Sequence, residues 1–264
     1  MLKFPSVTNI IYFIFVGGAR GCGKSVSLLS LSYWARNMGW LVVYIPSAKA
    51  YALDNTVIVP DENGMLEQQD LIVQWLRSVR NGHIDVLKTI PLAEPLPSSL
   101  ETVCGEVSNL YELVDFGARH RTSSAAVLQS FLQCLQSQTV TPALVVVDEW
   151  NAWTGLTEVR NLEGKPVNAD QLSFAAAFKN ASLKPFKRGA FVTADSFTLS
   201  KRLHQVPLAS ILLSAYTPGE LKSVLSFYKS SGWSSIDDVS ALMPVAQKMT
   251  SANPREVYRW ASIL

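Results

Sequence analysis

Cysteine is scarce in this chain: Cys22, Cys104 and Cys134 are the only three in 264 residues, too few and too far apart for a zinc set or a disulfide framework. That scarcity points to a reducing compartment. No apolar run approaches the roughly 20 residues of a membrane-spanning helix, and the run at residues 10–16 is too short for a secretory core, so a soluble protein without a membrane partner is expected. An excess of either charge is also missing. The 23 basic residues stand against 21 acidic ones, and a net charge of +2 excludes a molecule that grips nucleic acid by its overall field. His83, His120 and His204 are isolated from one another and from other metal-ligating residues. The opening Met1-Leu2-Lys3-Phe4-Pro5 lacks the Arg- and Ser-rich look of an organellar presequence, and repeats and low-complexity tracts are absent.

Against this plain background stands Gly18-Ala19-Arg20-Gly21-Cys22-Gly23-Lys24-Ser25, directly after the apolar run at residues 10–16. Buried strand, glycine loop and helix in that order form a phosphate cradle. Glycines let the backbone N–H groups turn inward onto oxygen atoms, Lys24 adds charge, and the Ser25 hydroxyl is placed for Mg²⁺. The helix that follows directs its positive end at the anion. Gly18, Arg20, Gly21, Cys22, Gly23, Lys24 and Ser25 are therefore the expected nucleotide contacts. Cys22 reads as a small side chain packed in the loop.

A helix is expected over residues 25–37 and a buried strand over 40–45, closed by Pro46, which makes a βαβ unit with the phosphate site at its first turn. Residues 46–122 read as an insertion with one or two helices and much loop, because helical spacing over 66–79 is followed by Pro91, Pro95 and Pro97. A helix over 123–138 and strands at 143–147, 189–193 and 211–213 complete the sheet. Helix starts are spelled at Asn168-Ala169-Asp170-Gln171, Thr217-Pro218-Gly219-Glu220 and Asn253-Pro254-Arg255-Glu256, with another helix over 235–249. The expectation is an α/β nucleotide-binding domain over residues 1–214, with its insertion at about 50–122, and a helical lid over 215–264. The long separation of Lys24 from Asp148, the extra strand between them and the lid favour a P-loop NTPase of AAA+/STAND type over the small-GTPase branch.

Leu144-Val145-Val146-Val147-Asp148-Glu149 supplies the second half of such a site. Asp148, with Ser25, would hold Mg²⁺, and Glu149 stands either as a general base for water or as a salt-bridge partner. Thr193, Asp195 and Ser196 either sense a γ-phosphate or cap a turn, and Arg255 either reaches the phosphates from the lid or lies on the surface. Residues 160–202 hold eight basic residues (Arg160, Lys165, Lys179, Lys184, Lys187, Arg188, Lys201, Arg202) against three acidic ones (Glu163, Asp170, Asp195), either a phosphate-touching stretch or a solvated face. No Asn-Lys-x-Asp guanine motif occurs, which leaves ATP and GTP both open.

Gly21-Cys22-Gly23-Lys24-Ser25, Trp40-Leu41-Val42-Val43-Tyr44-Ile45-Pro46, Val146-Val147-Asp148-Glu149-Trp150-Asn151-Ala152-Trp153, Ser214-Ala215-Tyr216-Thr217-Pro218-Gly219-Glu220 and Ser251-Ala252-Asn253-Pro254 together resemble the death-associated protein 3 family, GTP-binding components of the mitochondrial ribosomal small subunit. The resemblance implies a mitochondrial location and bound GTP or GDP with Mg²⁺ in a largely structural role. It also implies a place in the small-subunit head and contacts with small-subunit rRNA and ribosomal proteins, as a monomer within a large ribonucleoprotein assembly. Trp150 and Trp153 would then be docking surface, or else core. Members of the family carry a long region ahead of the phosphate loop, so targeting and part of the docking surface are expected to come from elsewhere or to be dispensable. Animal members carry glycine at the position of Glu149, which keeps a rival reading open: an active STAND- or AAA+-type ATPase or GTPase working as a switch. A nucleotide-dependent scaffold unconnected to translation is the third.

Overall fold

A computed structural model of the chain describes residues 13–53, 58–61, 64–92, 94–161, 163–196 and 209–264. The elements run β1 (Phe13–Gly18), α1 (Lys24–Asn37), β2 (Leu41–Ile45), a short hairpin of β3 (Val59–Pro60) and β4 (Leu66–Glu67), then α2 (Gln69–Gly82), α3 (Ile84–Thr89), α4 (Ser98–Cys104), α5 (Leu110–Arg119) and α6 (Ser124–Ser137). There follow β5 (Ala143–Val147), a second hairpin of β6 (Leu156–Arg160) and β7 (Pro166–Asn168), α7 (Ser173–Ser182), β8 (Gly189–Ala194), β9 (Ala209–Leu213) and the helices α8 (Pro218–Ser230), α9 (Val239–Thr250) and α10 (Pro254–Ala261).

Five strands form one sheet in the order β2-β5-β8-β1-β9, and every pairing in it is parallel. Its inner strand β5 is apolar and buried at every position because both faces are covered. Along β5, Leu144 and Val146 join a cluster with Leu28 and Ala35 of α1, while Val145 and Val147 face the larger core built with α2, α5, α6 and α7. The chain leaves β1 toward β2 at one edge and later crosses from β8 to β9 over β1. The carboxyl ends of β1, β5 and β8 therefore meet at a topological switch point, where an open parallel sheet leaves a crevice.

The expected strands at 40–45, 143–147, 189–193 and 211–213 lie within a residue or two of β2, β5, β8 and β9. The first strand begins at Phe13, and residues 10–12 of that expectation fall outside the described residues.

The segment after Pro46 departs from expectation: it carries four helices, α2 to α5, rather than one or two. Pro91 and Pro95 lie between α3 and α4, and Pro97 immediately precedes α4, so the prolines punctuate helices instead of abolishing them. Leu76, Leu110, Leu113 and Val114 from these helices are fully buried with Val127 and Phe131 of α6, which makes the segment part of the main core. Helix α2 starts at Gln69 rather than residue 66, because Leu66 and Glu67 pair with Pro60 and Val59. The Asn168 capping box forms as spelled but opens only the 3₁₀ turn Ala169–Gln171, with α7 beginning after Leu172. The helix expected from residue 235 starts at Val239, because the Asp238 side chain accepts from the Ser240 and Ala241 amides.

Candidate functional site

The glycine loop is shaped by backbone that other residues resist. Gly18, Gly21 and Gly23 have φ of +142°, +84° and +98°. Gly18 closes β1 so tightly that a Cβ there would run into the Leu213 carbonyl and stand 2.7 Å from Cys22 Sγ. It is therefore a packing glycine and does not line the cleft beside it, whereas the other expected contacts do.

That cleft has a volume of about 910 Å³ and brings together Arg20, Gly21, Cys22, Gly23, Lys24 and Ser25 from the loop, Asp148 and Glu149 from the end of β5, Asp195 and Ser196 from the end of β8, and Arg255 from α10. Residues more than two hundred positions apart in the chain thus share one wall. Lys24 is buried, its ammonium donating to the Gly18 and Ala19 carbonyls at 2.7 and 2.9 Å. Asp148 is 3% exposed and accepts the Glu149 amide at 2.8 Å through one carboxylate oxygen, Oδ1.

Glu149 occupies the left-handed region at φ 57°, and its carboxylate accepts from the Ser47 hydroxyl at the end of β2. Among the described residues it has no ion-pair partner; Ser47 holds it at the rim. Asp195 is buried, which holds its carboxyl pKa above the ordinary value, an effect only partly offset by the Asn151 backbone amide and the charge of Lys24. Asn151 also accepts from the Ser196 amide and hydroxyl at 2.8 and 3.0 Å, locking the turn after Glu149 to the end of β8. Thr193 lies inside the sheet, away from the cleft, its hydroxyl fully buried with no partner among the described residues.

The C-terminal helices α8 to α10 meet the glycine loop through the turn between α9 and α10. Asn253 Nδ2 donates to the Arg20 carbonyl at 2.9 Å, and the Arg255 amide donates to the Gly21 carbonyl at 3.1 Å. Three tyrosines, Tyr216, Tyr228 and Tyr258, line the lid side, with Lys49 at the rim. Sequence reading missed Ser47, Lys49 and these tyrosines as site residues. Only the Asn253-Pro254 helix start carried a local signal, and it marked a cap, not a contact.

Other expectations resolve elsewhere. Trp153 is fully buried and belongs to the core, while Trp150 is half-buried and packs against that core on Phe191 at 5.6 Å. In the basic stretch, Lys179 pairs with Asp170, Lys165 with Glu163, and Arg160 and Arg188 donate to nearby carbonyls; Arg160, Lys165, Lys184, Lys187 and Arg188 are all exposed, and Lys201 and Arg202 lie outside the described residues.

The family model for mitochondrial ribosomal death-associated protein 3 matches residues 13–209. The chain belongs to that family. As a death-associated protein 3 family member it is 23% identical over 251 residues to the small ribosomal subunit protein mS29 of Bos taurus, and 23% identical over 251 residues to that of Mus musculus. Each alignment takes in 87% of this chain, but the chain spans only 62–63% of the length of those two relatives. Among solved structures, a chain of the E. coli MS115-1 HORMA:CdnC:Trip13 complex aligns over 96% of this chain and 73% of its own, at 9% identity and a TM-score of 0.36. A likeness that distant carries no argument about a death-associated protein 3 family member.

Proposed function

We propose that this chain is a nucleotide-binding structural protein of the mitochondrial ribosomal small subunit, holding GTP or GDP with Mg²⁺ in the cleft and meeting rRNA and neighbouring ribosomal proteins on its surface. Its location in the mitochondrion follows from the family and the mS29 relatives, and the same relatives support its assembly in the small subunit. The fold proposed is that of a P-loop NTPase of AAA+/STAND type, with residues 215–264 as its lid. One observation carries the nucleotide reading: the glycine loop, Asp148 and the lid's Arg255 converge on a single cleft at the switch point of a parallel sheet.

The residues present fit a magnesium nucleotide. The amides of residues 21–25 and the N-terminus of α1 would receive the phosphates, with Lys24 turning from the loop carbonyls to their oxygens. Ser25 and Asp148 would hold Mg²⁺, which when bound neutralises phosphate charge. Arg255 would add a guanidinium from the lid. Such a ligand works as an internal staple, binding the folded state alone and raising stability by about 4 kcal/mol at a thousandfold excess over Kd.

The test is direct binding of a fluorescent GDP analogue to the purified chain, together with identification of any nucleotide that co-purifies. Lys24→Ala is expected to weaken binding about 10- to 100-fold, the span of a charge-assisted contact, and Asp148→Asn to remove its Mg²⁺ dependence. Unchanged affinity in both variants would overturn the assignment. A second reading, a slow nucleotide switch, is favoured by Glu149 at the cleft rim. Rapid GTP or ATP turnover that disappears in Glu149→Gln would replace the staple with that switch.

A further inference from the structure

The lid leaves a ladder of rings in solvent. Phe227 is 64% exposed, and Trp233 and Tyr258 are each 47% exposed. Trp233 stacks on Tyr258 with centroids 5.1 Å apart and planes 24° from parallel, and the contacts continue through Tyr228 to Phe227 at 6.3 and 6.1 Å. Burying such rings is the ordinary outcome of folding, and the C-terminal helices have their own core of Leu221, Leu225, Ile236, Ala246 and Val257, against which half-buried Tyr228 packs while Phe227, Trp233 and Tyr258 are left out.

Beside the ladder lies a second cavity of about 300 Å³, lined by Arg20, Asn253, Arg255, Glu256 and Arg259. Glu256 is answered by Arg259 at 3.3 Å. The guanidiniums of Arg20 and Arg255 have no hydrogen-bond or ion-pair partner among the described residues, so the pocket keeps an excess of two positive charges. Arg20 and Arg255 line both this pocket and the nucleotide cleft, which Tyr228 and Tyr258 also line, and Tyr258 stands three residues after Arg255 on α10, which places that guanidinium next to the rings.

We infer that this face of the lid binds single-stranded RNA, the arginine pocket taking a backbone phosphate and the Trp233–Tyr258 stack receiving an unpaired base. The inference rests on the ribosomal reading above and names the surface through which RNA would be met. The two chemistries select the partner together. Guanidiniums without acidic partners suit phosphate, and an open ring stack suits a base that is not already stacked in a duplex. An acidic protein segment would use the arginines but leave the rings idle.

Trp233 and Arg259 do not line the nucleotide cleft, which separates this test from that of the nucleotide. Fluorescence anisotropy of a labelled single-stranded RNA of about 12 nucleotides with the full chain, from about 50 to 200 mM KCl, is expected to show salt-dependent binding, with a matched duplex bound more weakly. Trp233→Ala should weaken binding at least about fivefold and Trp233→Phe should restore most of it. Arg259→Ala takes one positive charge from the pocket and leaves Glu256 unanswered, and should weaken binding and make the salt slope shallower. Affinity for the GDP analogue stays unchanged in all three variants. Absence of binding by the unaltered chain, equal binding by Trp233→Ala and Arg259→Ala, or preference for the duplex overturns the inference. Intact RNA binding beside absent nucleotide binding leaves it standing and removes only the nucleotide reading.

Discussion

Gly21 shows how much one residue can hold. Its φ of +84° costs an L side chain about 1–2 kcal/mol, and a Cβ added there would stand 2.6 Å from Asn253 Oδ1 and 2.8 Å from Arg255 Cβ. Gly21→Ala is therefore expected to push the lid turn off the loop. Hydrogen exchange should show the Arg255 amide, bonded to the Gly21 carbonyl at 3.1 Å, losing protection, and the thermal midpoint should fall by a few degrees. Unchanged protection at Arg255 would show that the turn does not depend on this glycine. At this scale the loop was legible in the sequence, because phosphate binding demands particular residue types at fixed spacing. Ser47 was not legible: a serine after a strand is ordinary, and only the fold brings its hydroxyl to Glu149.

At the scale of elements, strands buried on both faces announced themselves. The residues of β2 and β5 are apolar throughout, and no helix of that length would bury on every side. The segment from α2 to α5 was obscure because its helices are short and separated by prolines, so their identity comes from packing. Gly117 of α5 measures that packing. A Cβ there would lie 2.6 Å from Val127 Cγ1 of α6 and 2.8 Å from Leu76 Cδ1 of α2. Gly117→Ala should gain helix propensity yet lose about 1–3 kcal/mol to overpacking, read as a lower denaturation midpoint at unchanged slope. A stabilised variant would mean that the three helices pack less closely than described.

Over the whole molecule, the two sheet faces and the lid have separate apolar clusters, and the lid reaches the glycine loop through the turn at Asn253 and Arg255. A ligand that bridges loop, β5 and lid would tie these parts together. Magnesium GDP at about a thousandfold excess over Kd is expected to add about 4 kcal/mol and raise the thermal midpoint by on the order of 10 °C. The gain should vanish in Lys24→Ala. A midpoint that ignores saturating nucleotide would mean that the ligand does not join the parts, whatever its affinity.

The amino-acid sequence by itself determined the local features: the glycine loop, the doubly buried strands and the capped starts of α8 and α10, each dictated by backbone conformation or by burial along a few consecutive residues. Tertiary structure alone decided that Arg255 and Asn253 reach Arg20 and Gly21, that Ser47 restrains Glu149, that Trp153 is core, and that the lid tyrosines face the loop. Such contacts join residues distant in the chain, and no local pattern encodes which distant surfaces meet when the sheet closes.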